Sequence, residues 1–254
     1  MKTTEKFSGR ANYYSAGRPA YSEKLIDHLY SNGFSEKSVI ADIGSGTGIF
    51  ARQLLAKGSS VICVEPNEDM RSAAERELCN FKNFSSVNGT ASDTTLENSS
   101  VDFITCAQAF HWFDVVEFQT ECRRILKPNG FVVLIWNTRD MEADVNKECA
   151  EISKKYCPAF QGFNGGINNN PERIGQFFNN NYETVVFENN LIYDEEKFIN
   201  RMLSSSYALK SDDSDYQKYI EELMNVFNKY STNGILRLPN NTIAYIGSLK
   251  SAGN

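Results

Sequence analysis

Short apolar runs and helical repeats alternate along the first half of the chain. Val39–Asp42, Val61–Val64 and Val101–Ala107 are apolar almost throughout, as in strands that are buried on both faces. Such strands, alternating with helical repeats, predict a parallel sheet with right-handed crossovers and helices on both faces. The same pattern predicts helices over 21–31, 50–57, 67–78 and 114–126, further strands over 84–88 and 131–136, and a turn at 127–130.

The pattern changes after Asn137. Residues 161–171 are rich in glycine and asparagine and indicate a loop. Helices are predicted over 143–156, 171–179, 194–204 and 213–230, and late strands over 184–193 and 242–249.

No internal repeat and no independent second domain is visible, so we expect a single domain over residues 1–254. The segment 138–183 is either a structural excursion or a cap over a site, because long connections at strand ends often carry substrate contacts. The predicted parts are an N-terminal segment 1–36, a core 37–137, the excursion 138–183 and a remainder 184–254.

Composition excludes several classes of protein. A net charge of −6 over 254 residues argues against a nucleic-acid partner. No apolar run reaches membrane-spanning length, and the N-terminus lacks a signal-peptide pattern. Six cysteines without a Cys-x-x-Cys pair, among them Cys63 and Cys106 inside strand patterns, indicate reduced thiols and a cytoplasmic location. His28 and His111 are the only histidines and no ligand spacing occurs, so we expect no metal.

The most informative stretch is Asp42–Gly48, which reads Asp-Ile-Gly-Ser-Gly-Thr-Gly. It joins a buried strand to a helix that begins at once. Glycine has no Cβ, so the turn can bring its backbone against a ligand. The helix that follows points its free N–H groups and the positive end of its dipole at the same place. The stretch therefore predicts a cofactor-binding loop.

Two classes of cofactor use a strand, a glycine turn and an acid on the next strand: dinucleotides and S-adenosylmethionine. The acid here is Glu65, 23 positions after Asp42, close to the spacing of about 20 expected of either class. Asp42 would repel a pyrophosphate but suits a cation. The dinucleotide pattern also needs a third glycine where Ile49 or Ala51 stands, although alanine is tolerated in its looser form. We therefore favour S-adenosylmethionine, with a dinucleotide as the alternative.

The order of the motifs resembles that of class I S-adenosylmethionine-dependent methyltransferases, and in particular the small-molecule methyltransferases of the trans-aconitate and ubiquinone-biosynthesis type. The resemblance covers roughly residues 7–137. It implies an α/β fold with a Rossmann-like, doubly wound, seven-stranded sheet, mostly parallel with an antiparallel late strand. The segments that carry it are Asp42–Gly48, Glu65–Met70, Asn88–Ser92, Ser99–Asp102, Ala107–Asp114 and Leu126–Gly130.

The resemblance also implies roles for individual residues. Gly44, Ser45, Gly46 and Gly48 would approach the methionine part and the ribose of the cofactor, and Asp42 would meet its amino group. On the adenosine side, Glu65 would hold the ribose hydroxyls, beside Pro66, and Met70, Ala91 and Ser92 would line the adenine. Ala107 and Gln108 would border the methionine part. In the N-terminal covering segment, Arg18 would bind the cofactor carboxylate and Tyr14 would close the site.

His111 follows the fourth strand at this edge and is the candidate general base, the alternative being a structural histidine beside Trp112. Trp112, Trp136 and Asn137 are the other candidate substrate contacts. A carboxylate acceptor would need no base, because methyl transfer from a sulfonium depends mainly on alignment. We therefore expect methyl transfer to a small molecule, such as a carboxylate or another oxygen nucleophile. The alternatives are a NAD(P)-dependent oxidoreductase and a non-catalytic S-adenosylmethionine-binding protein.

Overall fold

The computed structural model describes residues 19–163, 171–205 and 207–249. Within these ranges the chain divides into two compact units. The first unit takes residues 19–136, 171–187 and 243–249, and the second takes 137–163, 188–205 and 207–242. The change of pattern after Asn137 thus coincides with the start of the second unit. The predicted excursion 138–183 spans parts of both units, and its role as a cap stays a prediction.

Seven strands form one sheet, in the order β3-β2-β1-β4-β5-β9-β6. The pairs β1–β2, β1–β4, β2–β3 and β4–β5 are parallel, and one strand of the sheet is antiparallel. The predicted fold class is confirmed. The strands are β1 Val39–Ile43, β2 Ser60–Val64, β3 Phe84–Val87, β4 Val101–Ala107, β5 Leu126–Arg139, β6 Tyr182–Glu188, β7 Leu191–Tyr193, β8 Leu236–Leu238 and β9 Asn240–Gly247.

Helices cover both faces of this sheet. Ile40 belongs to a buried cluster with Phe50, whereas its neighbour Ala41 belongs to a second cluster with Phe118. Successive strand residues point to opposite faces, so the two clusters are the two layers between helices and sheet. The helices are α1 Glu23–Ser31, α2 Ile49–Ala56, α3 Glu68–Leu78, α4 Val115–Ile125, α5 Asp144–Tyr156, α6 Pro171–Phe178, α7 Glu195–Leu203 and α8 Tyr216–Tyr230.

The predicted turn at 127–130 is part of strand β5, which begins at Leu126. The register of β4 against β5 shifts here, because the next pair after Val101 with Leu126 is Phe103 with Phe131. The extra residues of β5 form a bulge, the place where a strand tolerates proline. A Cβ on Gly130 would lie 2.5 Å from the carbonyl oxygen of Asp102, so this bulge requires glycine.

The second unit has its own apolar core, built from α5, α7, α8 and the β7–β8 ribbon. The strand predicted over 184–193 is wrong in its second half. Strand β6 ends at Glu188, and Leu191–Tyr193 pairs in antiparallel fashion with Leu236–Leu238 instead. Asn189 and Asn190 interrupt the run between the two strands, and the β8 strand carried too little sequence signal to be predicted. None of the helices in the described part of the chain is long and apolar enough to cross a membrane.

Candidate cofactor site at the carboxyl edge of the sheet

The glycine turn after β1 has a left-handed backbone at three positions. The φ angles are +68° at Gly44, +55° at Gly46 and +78° at Gly48, a region that residues with a Cβ rarely adopt. A Cβ on Gly44 would also lie 2.7 Å from the Cβ of Ala109, whereas a Cβ on Gly46 would meet no atom of the described residues within 4 Å. The turn is therefore closed by packing at Gly44 and open at Gly46. Helix α2 begins directly after it at Ile49.

Glu65, at the end of β2, ties this turn to the next loop. Its Oε2 accepts a hydrogen bond from the Gly46 N–H (3.0 Å) and its Oε1 accepts one from the Asn67 N–H (2.9 Å). Burial raises the pKa of this carboxyl group, and the two backbone donors and the nearby Arg71 oppose the rise. Each carboxylate oxygen can accept more than one hydrogen bond, so Glu65 keeps capacity for a ligand hydroxyl.

Asp42 lies near the end of β1 and is buried, with 1% of the residue exposed. Thr105 on the neighbouring strand donates its hydroxyl to Asp42 Oδ1 at 2.7 Å. The other oxygen, Oδ2, is buried and has no hydrogen-bond partner among the described residues. Burial, with a smaller contribution from Glu65, raises the pKa of this carboxyl group to about 7. A buried acceptor left open beside the glycine turn could accept a hydrogen bond from a cationic donor.

The loop after β2 ends in a helix N-cap at Asn67. The side-chain oxygen of Asn67 accepts a hydrogen bond from the Met70 N–H at 3.0 Å, which begins α3. Met70 itself is buried. Arg71 Nη1 donates to the carbonyl oxygens of Glu65 (2.9 Å) and Pro66 (3.4 Å). Arg71 was not predicted, since a helical arginine four positions past a proline gives no distinct signal.

Ala91 and Ser92 lie in the loop after β3 and differ in exposure. Ala91 is partly buried and packs against the apolar cluster on one face of the sheet. Ser92 is exposed, with its Oγ 3.3 Å from Oγ1 of Thr90. A ligand could reach the Ser92 hydroxyl directly, whereas Ala91 can offer only a surface and its backbone groups.

Ala107 ends β4, and Gln108 follows it with a φ angle of +57°. Such a backbone costs a non-glycine residue about 1 kcal/mol or more, and it tends to occur where a site requires it. The Gln108 N–H donates to the carbonyl oxygen of Ile135 at 2.8 Å, which fixes the chain as it leaves the sheet. Gln108 is therefore held in a strained conformation at the edge where the glycine turn lies.

A short 3₁₀ turn, Phe110–Trp112, carries the candidate base. His111 is partly buried and its ring centroid lies 4.8 Å from that of Trp112, which is 40% exposed. Arg173 of α6 donates to the carbonyl oxygens of Phe113 (2.6 Å) and His111 (3.5 Å). Arg173 thus holds this turn in place. It lies about 60 residues away in the sequence, so no local pattern could have indicated it.

Trp136 and Asn137 are neighbours in β5 but belong to different units. Trp136 is 4% exposed, and its Nε1 is buried without a hydrogen-bond partner among the described residues. In the second unit, Asn137 Oδ1 accepts hydrogen bonds from Thr242 Oγ1 (2.6 Å) and Asn189 Nδ2 (3.0 Å). These two contacts give Asn137 a structural role in its own unit, and its role as a substrate contact stays a prediction.

Two predicted site residues, Tyr14 and Arg18, lie outside the described residues. Across the described ranges, no group of three or more His, Cys, Asp or Glu side chains is arranged to hold a metal ion.

The residues present fit S-adenosylmethionine better than a dinucleotide. Asp42 offers a buried, open carboxylate oxygen to a cationic amino group, and Glu65 retains hydrogen-bonding capacity next to the open position at Gly46. A pyrophosphate would bring negative charge to two buried acids whose ionised forms are already disfavoured by burial.

Comparisons with known proteins match the chain to methyltransferases. Residues 41–134 match the family model described as methyltransferase domain. The chain is 34% identical over 145 residues to an uncharacterized methyltransferase-like protein of Schizosaccharomyces pombe (56% of each chain). It is 33% identical over 146 residues to an uncharacterized methyltransferase of Mycobacterium tuberculosis (58% of each chain). The match thus spans slightly more than half of the length of these curated relatives.

Among solved structures, the fold is similar to that of a proposed type II methyltransferase from Anaeromyxobacter dehalogenans. The TM-score is 0.66 and the sequence identity 18%, over 91% of this chain and 98% of the other, a likeness that concerns the fold alone. The matched domain, the curated relatives and the fold agree with the resemblance to class I S-adenosylmethionine-dependent methyltransferases.

Proposed function

We propose that this chain transfers the methyl group of S-adenosylmethionine to a small-molecule acceptor, an oxygen nucleophile such as a carboxylate, by in-line displacement. The observation that carries the proposal is the buried Oδ2 of Asp42, which has no partner among the described residues and adjoins the glycine turn. An open, desolvated carboxylate is costly for the fold, so its retention argues for a cationic ligand group at this place.

The roles proposed for the binding residues follow from their surroundings. Asp42 accepts hydrogen bonds from the amino group, and Glu65 accepts them from the ribose hydroxyls while it holds the Gly46 N–H. The left-handed turn lets the ligand approach the backbone where a Cβ on Gly46 would stand. Under the same proposal, the cofactor is further bordered by Gly44, Ser45, Gly48, Pro66, Met70, Ala91, Ser92, Ala107 and Gln108, with Tyr14 and Arg18 from the N-terminal segment.

The residues near the acceptor act by position. When bound, S-adenosylmethionine supplies a methyl group on a cationic sulfur that leaves as a neutral thioether, so no acid is needed there. Arg173 fixes the turn that presents His111 and Trp112, and exclusion of water and alignment together supply on the order of 7–11 kcal/mol in such reactions. For a carboxylate acceptor, His111 positions or walls the substrate and does not remove a proton.

The net charge and the free cysteines support the proposed kind of partner and the proposed compartment of the protein. A net charge of −6 supports a small molecule over a nucleic acid. The six cysteines are all free, which supports a reducing compartment such as the cytoplasm.

Calorimetric titration separates the main proposal from its alternatives. We expect saturable binding of S-adenosylhomocysteine and none of NAD, followed by transfer of labelled methyl from S-adenosylmethionine to a pool of small carboxylic acids. Tight binding of NAD alone would indicate an oxidoreductase. Binding of S-adenosylhomocysteine without transfer to any acceptor pool would indicate a non-catalytic cofactor-binding protein.

A further inference from the structure

Arg139, in the second unit, has a guanidinium group without an oxygen partner in the part of the chain that the structure describes. Its Nη2 donates to the sulfur of Met202 at 3.3 Å, and its Cζ lies 3.6 Å from the ring centroid of Phe163. Its Nη1 is buried with no hydrogen-bond partner among the described residues. A group with five N–H donors is thus left with a thioether, a weak acceptor, and an aromatic face.

The ionisable groups described around Arg139 do not balance its positive charge. Arg201 is a second positive charge nearby, and together with burial it lowers the pKa of Arg139. Cys149 lies beside the guanidinium, but burial raises the pKa of this thiol to about 11, so it is neutral at pH 7. Tyr193 and Tyr207 complete the surroundings. No carboxylate forms an ion pair with Arg139 in the described ranges.

Other arginines of the chain show how such a group is normally satisfied. Arg124 donates to both carboxylate oxygens of Glu121 at 2.7 Å and to the carbonyl oxygen of Leu96 at 2.7 Å. Arg237, in the same unit as Arg139, is exposed and pairs with Glu188. Arg139 is more buried than Arg237 and, unlike it, has no carboxylate partner among the described residues, which is the arrangement expected when the missing partner is a ligand.

We infer that Arg139 is the centre of an oxyanion-binding site in the second unit, and that its ligand is a small carboxylate with an apolar or aromatic body. The planar fork of arginine matches a carboxylate in bidentate geometry. Phe163 and Met202 offer the body of the ligand an aromatic face and a polarizable sulfur. The inference goes beyond the proposed methyl transfer and does not depend on it.

Methionine-methyl NMR of the full chain gives a local readout, because Met202 contacts Arg139 directly. The Met202 signal, assigned from a Met202→Leu variant, is followed during titration with phenylacetate and with the neutral isostere phenylacetamide. We expect a saturable shift with phenylacetate and none of comparable affinity with phenylacetamide. The Met70 signal, from the first unit, serves as the internal reference.

Three variants complete the test. Arg139→Met is expected to weaken phenylacetate binding about 100-fold, the scale of losing a charge-assisted pair, and Arg139→Lys about 10-fold. Arg237→Met, the matched surface control, should bind like the wild type. The Lys variant, which keeps the charge, preserves the test if the Met variant does not fold. A Met202 signal that does not move, that responds equally to acid and amide, or that responds to inorganic phosphate alone would overturn the inference.

Discussion

The glycine-turn edge of the first unit and the surroundings of Arg139 in the second unit share one property: each keeps a charged group away from water without completing its hydrogen bonds. In the first, Asp42 has a hydroxyl donor on one oxygen and, within the described ranges, none on the other. In the second, the sign is reversed, and Arg139 donates to the sulfur of Met202 and to no oxygen atom of these ranges. Both groups are costly for the free protein.

The two regions differ in what holds the charged group. Asp42 sits on a central strand, and the turn beyond it is fixed by backbone hydrogen bonds such as that from the Gly44 N–H to the Val64 carbonyl oxygen (2.9 Å). Arg139 is the last residue of strand β5, and its guanidinium group lies among side chains, with Phe163 on one face. The surroundings of the first charged group are thus fixed mainly by backbone, and those of the second by side chains. We therefore relate the first region to the cofactor and the second to a more specific ligand.

The largest expected effect is on the stability of the free protein when Asp42 becomes Asn. The pKa of Asp42 is raised to about 7, so ionising it destabilises the fold as pH rises from the unfolded-state pKa of about 4 through 7. Asp42→Asn removes this penalty and should raise the free energy of unfolding by up to about 4 kcal/mol at pH 8, and by less at pH 5. Urea unfolding at both pH values measures it.

Asp102→Asn is the matched control for this prediction. Asp102 also lies on a central strand, but its oxygens accept from the Val39 N–H (2.8 Å) and from Lys127 Nζ (2.9 Å). Its replacement should cost stability and not increase it. An equal gain from both variants would mean that open hydrogen-bonding capacity is not what distinguishes Asp42.

The second effect separates the closed and open positions of the glycine turn. Gly44→Ala forces a Cβ to within 2.7 Å of Ala109 at a φ of +68°, and should cost about 2–4 kcal/mol of stability. Gly46→Ala adds a Cβ into open space, so it should cost only about 1 kcal/mol from its backbone angle. Gly46→Ala should nevertheless lose most of its affinity for S-adenosylhomocysteine. Normal affinity in a folded Gly46→Ala protein would contradict the proposed approach of the ligand.

The third effect compares two arginines. Replacing Arg124 by Met leaves the buried carboxylate of Glu121 without its main partner and should lower stability by about 2 kcal/mol. Replacing Arg139 by Met removes a desolvated charge that has no oxygen partner and should be neutral or stabilising by about 1 kcal/mol. Thermal unfolding of the two variants measures the difference. A large loss of stability in Arg139→Met would instead mean that the cation–π contact between Arg139 and Phe163 stabilises the fold.

The smallest expected effect is that of His111→Gln on the rate of methyl transfer. If the acceptor is a carboxylate, glutamine keeps a polar side chain at this turn and the rate of transfer should change less than about twofold, since no proton is removed. A general base would account for about 10²- to 10⁴-fold. Single-turnover rates with saturating cofactor distinguish these cases, and a loss in the larger range would move His111 from a positioning to a catalytic role.

The part of the site that depends on adjacent residues could be predicted from the sequence. The glycine turn, Glu65 at the end of β2 and the start of the helix near Asn67 are consequences of local backbone conformation, and they lie where the pattern indicated. Arg173 and Thr105 were not predicted, because they act through contacts with residues 60 or more positions away in the chain.

The same distinction holds for the fold. Strand alternation predicted the sheet, and Val101–Ala107 was predicted with its observed bounds. The β7–β8 pairing joins segments over 40 residues apart and carries almost no local signal. Arg139 likewise ends strand β5 without any motif, and only its surroundings single it out.

The affinity of S-adenosylhomocysteine as a function of pH tests most directly whether Asp42 is kept open for a cationic ligand group. Below its pKa of about 7, Asp42 in the free protein holds a proton that binding of an ammonium group must expel. Calorimetry should therefore show an affinity about 30-fold weaker at pH 5.5 than at pH 8 in the wild type, and a flat, weak profile in Asp42→Asn. The same pH profile in both proteins would contradict this role for Asp42.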